Sequence, residues 1–335
     1  MPENAMKPLP ASNPLAQALR QLLENDGISG SLAGEVYVES LPSSRQVLRF
    51  TLPEGNAVVG KFFSAYPPQL SADLSLIQEY NNYLRLPDLG LTQGQGLVPR
   101  LLGRWPQGSL GLLLEAVPGP DLDNLIRQAC LHGDPAPLKR GLEKLAHLLA
   151  MFHSRPVPSL PVEPAPALAY LDKVMGQLQA AGLLSREDWQ ALIYERALWE
   201  VRFRDFADGQ VLVHGDATPT NFLFPDGRAL ALDLEKLRVG DRLWDLSWVA
   251  GELKHAWGWR LQNWGGAEAA IGHFFRAYLA AADFAPALAD RLYNLNPFYM
   301  ALAELRIARN LYLTIDYRRE LVAEARRCLA CGRKL

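Results

Sequence analysis

The stretch 213–221, which reads VHGDATPTN, holds an acidic residue and an amide whose spacing suits phosphoryl transfer. Asp216 follows a short apolar segment, Asn221 comes five positions later, and a second carboxylate, Asp233, ends the apolar run 230–232. A carboxylate after a strand can accept or orient the proton of an attacking hydroxyl, whereas amide and carboxylate oxygens bind Mg²⁺. Each residue alone also fits a strand-ending turn. Together they predict Asp216 as a base and Asn221 and Asp233 as Mg²⁺ ligands.

A lysine and a glutamate nearer the N-terminus suit the binding of ATP. Lys61 lies within a strand predicted over 57–63, and Glu79 lies in a helix predicted over 73–86. Kinases use a strand lysine that contacts the α- and β-phosphates and pairs with a helix glutamate. A surface lysine and a solvated glutamate would look the same in isolation. Their order ahead of the loop at 213–221 favours the nucleotide site.

The elements that must position these residues follow from changes in hydrophobic periodicity. The first part of the chain is β-rich, with strands predicted at 36–38, 46–52, 57–63, 99–103 and 110–117 and a helix at 73–86. The rest is mainly helical, with helices predicted at 138–153, 167–182, 186–206 and from 241 onward, and short strands at 210–213 and 229–232. We therefore expect an α+β, two-lobed, protein-kinase-like fold. Its parts are a disordered N-terminus (1–14), a small antiparallel nucleotide-binding lobe (15–117) and a helical lobe with the catalytic loop and substrate site (118–335).

The chain resembles the aminoglycoside phosphotransferase and choline kinase superfamily, in which His-Gly-Asp is followed by four residues and Asn. The similarity continues through 232–235 (LDLE), where protein kinases have Asp-Phe-Gly, and through 240–246 (GDRLWDL). It is specific from about 211 to 252 and architectural elsewhere. The resemblance implies a two-lobed kinase fold and assigns the base and the Mg²⁺ ligands to the same three residues as above. It also implies that Asp245 braces the catalytic loop and that His153 is structural.

Four further residues are expected to contact the nucleotide through backbone or hydroxyl groups. Ser43 and Ser44 lie in the predicted turn 41–45, where a protein kinase has its glycine-rich phosphate-covering loop. An ordinary hairpin turn explains this segment equally well. Glu115 and Val117 follow the apolar run 112–114, at the position of a hinge whose backbone would hydrogen-bond adenine.

Three other functional classes compete with a small-molecule kinase. Segment 55–61 (GNAVVGK) fits the first positions of a P-loop, but Phe62 stands where Ser or Thr must bind Mg²⁺, and the segment reads as a strand. A protein kinase is disfavoured because the chain has no glycine-rich loop, no Ala-Pro-Glu segment after Asp233 and little room for an activation loop. A regulatory pseudokinase would lack the lysine, the base or a metal ligand, and none of these residue types is missing.

Composition excludes several partners. The 335 residues carry a net charge of −2, which argues against nucleic-acid binding, and no stretch reads as a signal peptide or a membrane-spanning helix. We expect a cytoplasmic protein that is not inserted in a membrane, and the sequence contains no indication of its oligomeric state. Cys328 and Cys331 form a CxxC pair without the second pair that a structural zinc site needs, so they are interpreted as incidental thiols.

The expected acceptor is a small molecule with a hydroxyl group. Acidic and basic residues are interspersed between 252 and 290, so a polycationic aminoglycoside is not indicated. A neutral sugar, an amino alcohol such as choline, or a related metabolite fits equally well. Trp244 and Trp248 are expected to pack on one helix face. A pocket role and a packing role remain equally open for Trp257, Trp259 and Trp264.

Overall fold

The computed structural model of the chain divides into two compact units. The N-terminal unit comprises 1–119 together with 230–236, and the C-terminal unit comprises 120–229 and 237–335. The segment 230–236, which the sequence led us to expect in the helical lobe, therefore lies with the N-terminal unit. The structure describes residues 6–25, 34–43, 45–63, 70–91, 96–105, 111–283 and 285–333.

An antiparallel six-stranded sheet organises the N-terminal unit, with the strand order β1-β2-β3-β4-β6-β5. Its elements are β1 (Lys7–Leu9), α1 (Pro14–Asn25), β2 (Val36–Leu41), β3 (Gln46–Thr51), β4 (Ala57–Phe62), α2 (Leu70–Arg85), β5 (Leu101–Arg104), β6 (Gly111–Glu115) and the short β9 (Leu230–Ala231). The five predicted strands and the helix after the third of them are confirmed. The P-loop alternative is excluded, because 57–62 is the strand β4 and Gly55 forms the preceding turn with φ of +86°.

The first 14 residues were predicted to be disordered, and this prediction is wrong for 7–9. These residues form β1, which pairs antiparallel with β2 so that Leu9 lies opposite Val36. The added strand satisfies backbone groups of β2 that would otherwise form an open sheet edge. The periodicity rule fails here because a three-residue strand that contains a proline carries almost no alternation.

Helix α1 and one face of the sheet enclose a hydrophobic core. Leu19 and Leu23 of α1 are fully buried against sheet residues that include Phe50 and Leu113. The Trp105 ring packs at 5.3 Å from the Phe62 ring, measured between centroids. Burial of each such side chain contributes about 1.5–3 kcal/mol. The core thereby holds β4, and with it Lys61, in a fixed register against β3 and β6.

The C-terminal unit is mainly helical. Its elements are α3 (Leu122–His132), α4 (Ala136–His153), α5 (Ala165–Ala180), α6 (Arg186–Arg202), β7 (Val211–Val213), β8 (Phe222–Leu223), β10 (Arg238–Gly240), α7 (Leu243–Leu261), α8 (Glu268–Ala281), α9 (Pro286–Ile307) and α10 (Ile315–Gly332). Helix α3, which sequence periodicity did not indicate, is capped by Asp121, whose carboxylate accepts a hydrogen bond from the Asn124 N–H at 2.7 Å. Gly133, with φ of +70°, ends that helix.

The described part of the chain contains no helix long and apolar enough to cross a membrane.

Candidate active site

The predicted catalytic loop follows β7, which pairs antiparallel with β10. Gly215 has φ of +79°, a conformation that a residue with a Cβ adopts only at a cost, so the chain turns sharply before Asp216. A 3₁₀ turn at Pro219–Asn221 brings the amide of Asn221 back, and its Nδ2 donates to the Asp216 carbonyl oxygen at 2.9 Å. Asp216 and Asn221 therefore lie together, each half-buried.

The carboxylate of Asp245 supports this loop by accepting hydrogen bonds from its backbone. The side chain is fully buried near the start of α7, where Oδ2 accepts from the His214 N–H and Oδ1 from the Gly215 N–H, both at 2.8 Å. Burial by itself raises the pKa of Asp245. The hydrogen bond from His153, the electrostatic interactions with His153 and His214 and the hydrogen bond from the Gly215 N–H reverse this effect and hold the pKa below its usual range. The bracing contacts implied by the family resemblance are present.

His153, at the end of α4, is structural as expected. Its Nε2 lies 3.1 Å from Oδ2 of Asp245, and its Nδ1 lies 2.7 Å from the Tyr278 hydroxyl. Full burial lowers the pKa of His153, against the opposing effect of Asp245. These contacts fit a neutral ring that donates from Nε2 to the carboxylate and accepts at Nδ1 from the tyrosine. The ring thus extends the support of the catalytic loop to α4 and α8.

A buried ion pair orients the start of α7. Arg291 of α9 donates to both carboxylate oxygens of Asp241, at 2.8 and 2.6 Å, and the Tyr299 hydroxyl donates to Oδ2 at 2.6 Å. The Leu243 N–H also donates to Oδ1 of Asp241, at 3.0 Å. A two-pronged arginine–carboxylate contact restrains orientation as well as position. Asp241 therefore links α9 to the first turn of α7, from which Asp245 projects.

Asp245→Asn is expected to lower the free energy of unfolding by about 1–3 kcal/mol, because one of the two oxygens that accept backbone N–H groups becomes a donor. Urea unfolding followed by fluorescence measures this loss. Asp172→Asn is the matched control, since Asp172 is exposed on α5 and pairs only with the partly exposed Arg196 among the ion pairs described. It should change stability by less than about 0.5 kcal/mol. Equal stability of the two variants would contradict the bracing role.

A cluster of three predicted site residues lies in the N-terminal unit. Lys61 Nζ lies 2.6 Å from Oε2 of Glu79, on α2, and 2.8 Å from Oδ1 of Asp233. The lysine and the glutamate are buried, whereas the Asp233 side chain is 28% exposed. The structure therefore contains the expected Lys61–Glu79 ion pair and adds Asp233 to it. The lysine ammonium is held between two carboxylates.

The backbone around Asp233 is held in an unusual conformation. Asp233 has φ of +56°, in the left-handed region that few non-glycine residues occupy. Asn82 of α2 donates from Nδ2 to the Leu234 carbonyl oxygen at 2.7 Å, and the Ala231 N–H donates to the Leu97 carbonyl oxygen at 2.8 Å. Such strain persists only where the surroundings impose it, and it is concentrated at functional sites. These contacts direct the carboxylate towards Lys61.

The charges of the cluster influence one another. Burial raises the pKa of Glu79 to about 7, although Lys61 acts in the opposite direction. Burial also lowers the pKa of Lys61, but the two carboxylates outweigh it, and the net pKa lies above the usual value. Lys61 therefore remains a cation at neutral pH, as a phosphate-binding lysine must.

The oxygen atoms present suit a hard divalent cation such as Mg²⁺. Carboxylate oxygens of Glu79, Asp233 and Glu235 lie within 4.8 Å of one another. Glu79 is fully buried against Lys61, so the partly exposed Asp233 and Glu235 are the carboxylates that a cation can reach. In the C-terminal unit, the Asn221 amide nitrogen is used by the Asp216 carbonyl, which leaves its oxygen as the ligand atom. Oxygen donors of this kind are those that Mg²⁺ prefers.

The other residues predicted to contact the nucleotide lie in two separate segments, the turn between β2 and β3 and the end of β6. Ser43 is exposed in the turn between β2 and β3, and its hydroxyl accepts from the Arg45 N–H at 3.3 Å. Ser44 lies outside the described residues. Glu115 ends β6, and its carboxylate accepts from the Arg100 N–H at 3.2 Å. Val117 follows in an irregular, half-buried segment.

Two charged pairs near these residues were not indicated by sequence reasoning. Glu252 of α7 is paired with Arg306, and its pKa is raised by burial and by the negative charge of Asp216. Glu252 therefore lies within electrostatic range of the predicted base. The sequence did contain an indication of Glu252, because this residue comes seven positions after Asp245 and therefore lies on the same face of the helix. The second pair, Arg45 with Glu235, joins residues 190 positions apart and gave no local signal.

Several tryptophans that follow the predicted catalytic loop contact other aromatic rings. The Trp244 and Trp248 rings contact each other at 4.9 Å between centroids, as predicted for one helix face. Trp264 stacks on Tyr317 with an interplanar angle of 9°, and Gly258 leaves the space that its ring fills. Cys328 and Cys331 lie on α10, one buried and one exposed. Among the described residues, the only cluster of three candidate metal ligands is the carboxylate group around Asp233.

The fold is that of kinase-like phosphotransferases. Solved structures with this fold include an ADP-bound aminoglycoside phosphotransferase APH(2'')-Ib, with 14% identity, a TM-score of 0.56 and coverage of 92% of this chain and 97% of that one. An ethanolamine kinase from Plasmodium vivax shares 10% identity, with a TM-score of 0.59 and coverage of 96% and 89%. A glucosamine kinase shares 17% identity, with a TM-score of 0.55 and coverage of 95% and 85%.

The sequence model of the phosphotransferase enzyme family (APH) matches residues 30–290. The chain belongs to this family, and membership supports a small-molecule kinase. No curated protein matches the sequence.

Proposed function

We propose that this protein is an ATP- and Mg²⁺-dependent kinase that transfers the γ-phosphoryl group to a hydroxyl group of a small molecule. The observation that carries the proposal is the position of the Lys61 ammonium between Glu79 and Asp233, at 2.6 and 2.8 Å. A lysine so restrained presents its charge in one direction and loses little further freedom when a phosphate binds. A merely structural ion pair would not need a second carboxylate in a left-handed backbone conformation.

The C-terminal loop supplies the acceptor chemistry. Asp216 would accept or orient the proton of the acceptor hydroxyl, and the buried Asp245 supports the backbone that carries it. Asp233 and the Asn221 amide oxygen would hold Mg²⁺, with Glu235 near the first of them. When bound, the cation neutralises charge on the β- and γ-phosphates.

The surroundings of Asp216 support one class of acceptor. Glu252, which is within electrostatic range of Asp216, is paired with Arg306, and Asp123 of α3, which also interacts with Glu252, pairs with Arg260 at 2.9 Å. Such surroundings favour a neutral sugar, an amino alcohol or a related metabolite over a polycation. Structurally similar proteins include a glucosamine kinase, an ethanolamine kinase and an aminoglycoside phosphotransferase, so the shared fold does not choose between these acceptor classes. We expect the reaction to take place in the cytoplasm.

A nucleotide-binding pseudokinase is the alternative. Such a protein would keep the Lys61–Glu79 pair but could lose residues of the loop that carries Asp216. In this chain, Gly215, Asp216 and Asn221 are present and make the hydrogen bonds described above. The complete loop therefore favours catalysis.

A thermal-shift series tests the proposal first, with ATP and GTP each added with and without Mg²⁺. The wild-type chain should be stabilised by ATP in a Mg²⁺-dependent way, since a ligand present at 100 times its Kd adds about 2.7 kcal/mol to the native state. A coupled ADP-release assay against pools of sugars, amino alcohols and aminoglycosides then identifies the acceptor. Nucleotide binding without turnover on any pool would favour the pseudokinase, and no response to either nucleotide would contradict both readings.

A further inference from the structure

Arg45 forms a long-range ion pair inside the N-terminal unit. It closes the turn between β2 and β3, and its Nη2 donates to Oε2 of Glu235 at 2.6 Å. The side chains are 25% and 16% exposed, so both remain accessible to a ligand. The pair ties the tip of this hairpin to the segment that carries Asp233.

The guanidinium group also lies beside the phosphate-binding lysine. Cζ of Arg45 is 4.7 Å from the centre of the Phe63 ring, and Nζ of Lys61 is 5.2 Å from the same centre. Asp233 and Glu235, two residues apart, each bind one of these cations. One aromatic ring and one short segment therefore hold the two cations close together.

A second ion pair on the same hairpin is an exposed surface pair and serves as a comparison. Arg49 of β3 lies 3.4 Å from Glu39 of β2, and its side chain is 44% exposed. Exposed pairs of this kind contribute about 0–1 kcal/mol and restrain little. Arg45 differs because it is less exposed, its contact is shorter, and its partner lies beside a predicted Mg²⁺ ligand.

We propose that Arg45 binds the terminal phosphate of the nucleoside triphosphate, as a second cation next to Lys61. Guanidinium presents five N–H donors in a planar fork that matches phosphate oxygens, and the contact with Glu235 engages only Nη2. Glu235 holds the fork beside Asp233 and so limits the side-chain entropy lost on binding. This inference rests on the proposed function, because it assigns a further contact to the same nucleotide.

Isothermal titration with Mg²⁺-ATP and with Mg²⁺-ADP tests the assignment without any acceptor. Arg45→Gln should weaken ATP binding by roughly ten- to a hundredfold, the equivalent of one charge-assisted contact. Binding of ADP, which lacks the terminal phosphate, should change by less than about twofold. Arg45→Lys, which keeps the charge without the fork, should lose less ATP affinity than Arg45→Gln. Arg49→Gln is the matched control on the same hairpin and should leave both affinities unchanged.

The outcomes separate this inference from the proposed function. A wild-type chain that binds both nucleotides, with Arg45→Gln weakening them equally or not at all, overturns the Arg45 assignment and leaves the kinase proposal standing. A selective loss of ATP affinity supports the assignment. A wild-type chain that binds neither nucleotide contradicts the kinase proposal and the inference with it.

Discussion

Asp216→Ala is expected to lower kcat by about 10²–10⁴-fold, the usual contribution of a positioned general base. The affinity for Mg²⁺-ATP should change little, because the proposed nucleotide-binding cluster around Lys61 belongs to the other unit of the chain. A coupled ADP-release assay with saturating acceptor measures kcat, and titration of ATP measures binding. The expected result is thus a protein that binds nucleotide and does not turn over.

Two further variants test whether the loss of turnover is due to the missing proton acceptor at Asp216. Asp216→Asn keeps the shape of the side chain and its loop contacts but removes the proton acceptor, so it should lose as much activity as the alanine variant. Asp290→Ala removes an exposed aspartate of α9 and should retain wild-type turnover. If Asp216→Asn turned over at the wild-type rate, Asp216 would not be the base.

Asp233→Ala should have the second large effect, on Mg²⁺-dependent nucleotide binding. Loss of groups that only orient metal ligands already costs roughly 10–100-fold in metal affinity, so loss of a ligand should cost at least as much. Lys61 would also keep only one of its two carboxylate partners. Titration of ATP with Mg²⁺, and again with EDTA, should show a large Mg²⁺ effect in the wild type and almost none in the variant.

A separate variant is needed to distinguish backbone strain from loss of the carboxylate. Asp233 has φ of +56°, and alanine tolerates this conformation poorly. Asp233→Asn keeps a residue that accepts the left-handed region but lacks the carboxylate charge. It should also lose most of the Mg²⁺ effect. Asp88→Ala, at an exposed turn of the same unit, should retain it. Unchanged Mg²⁺-ATP affinity in Asp233→Asn would remove Asp233 from the metal site.

Local patterns in the sequence were enough to predict much of the fold. Strands β2 to β6 follow from apolar runs separated by turn residues, and the capped helix α6 begins at the predicted Arg186. The loop proposed to be catalytic could be singled out because its glycine, carboxylate and amide lie within nine residues. In each case the physical constraint acts over a few residues, so the residue types themselves record it.

Other features depend on residues that meet only in the folded chain. Strand β1 exists because β2 offers it an open edge, and Arg45 finds Glu235 across 190 residues. The left-handed conformation of Asp233 is imposed by contacts from α2 and from the segment before β5. Local propensity predicts none of these, because each is stabilised by partners distant in sequence. The sequence thus determined which groups could perform phosphoryl transfer, while the tertiary structure decided which neighbours hold and charge-balance them.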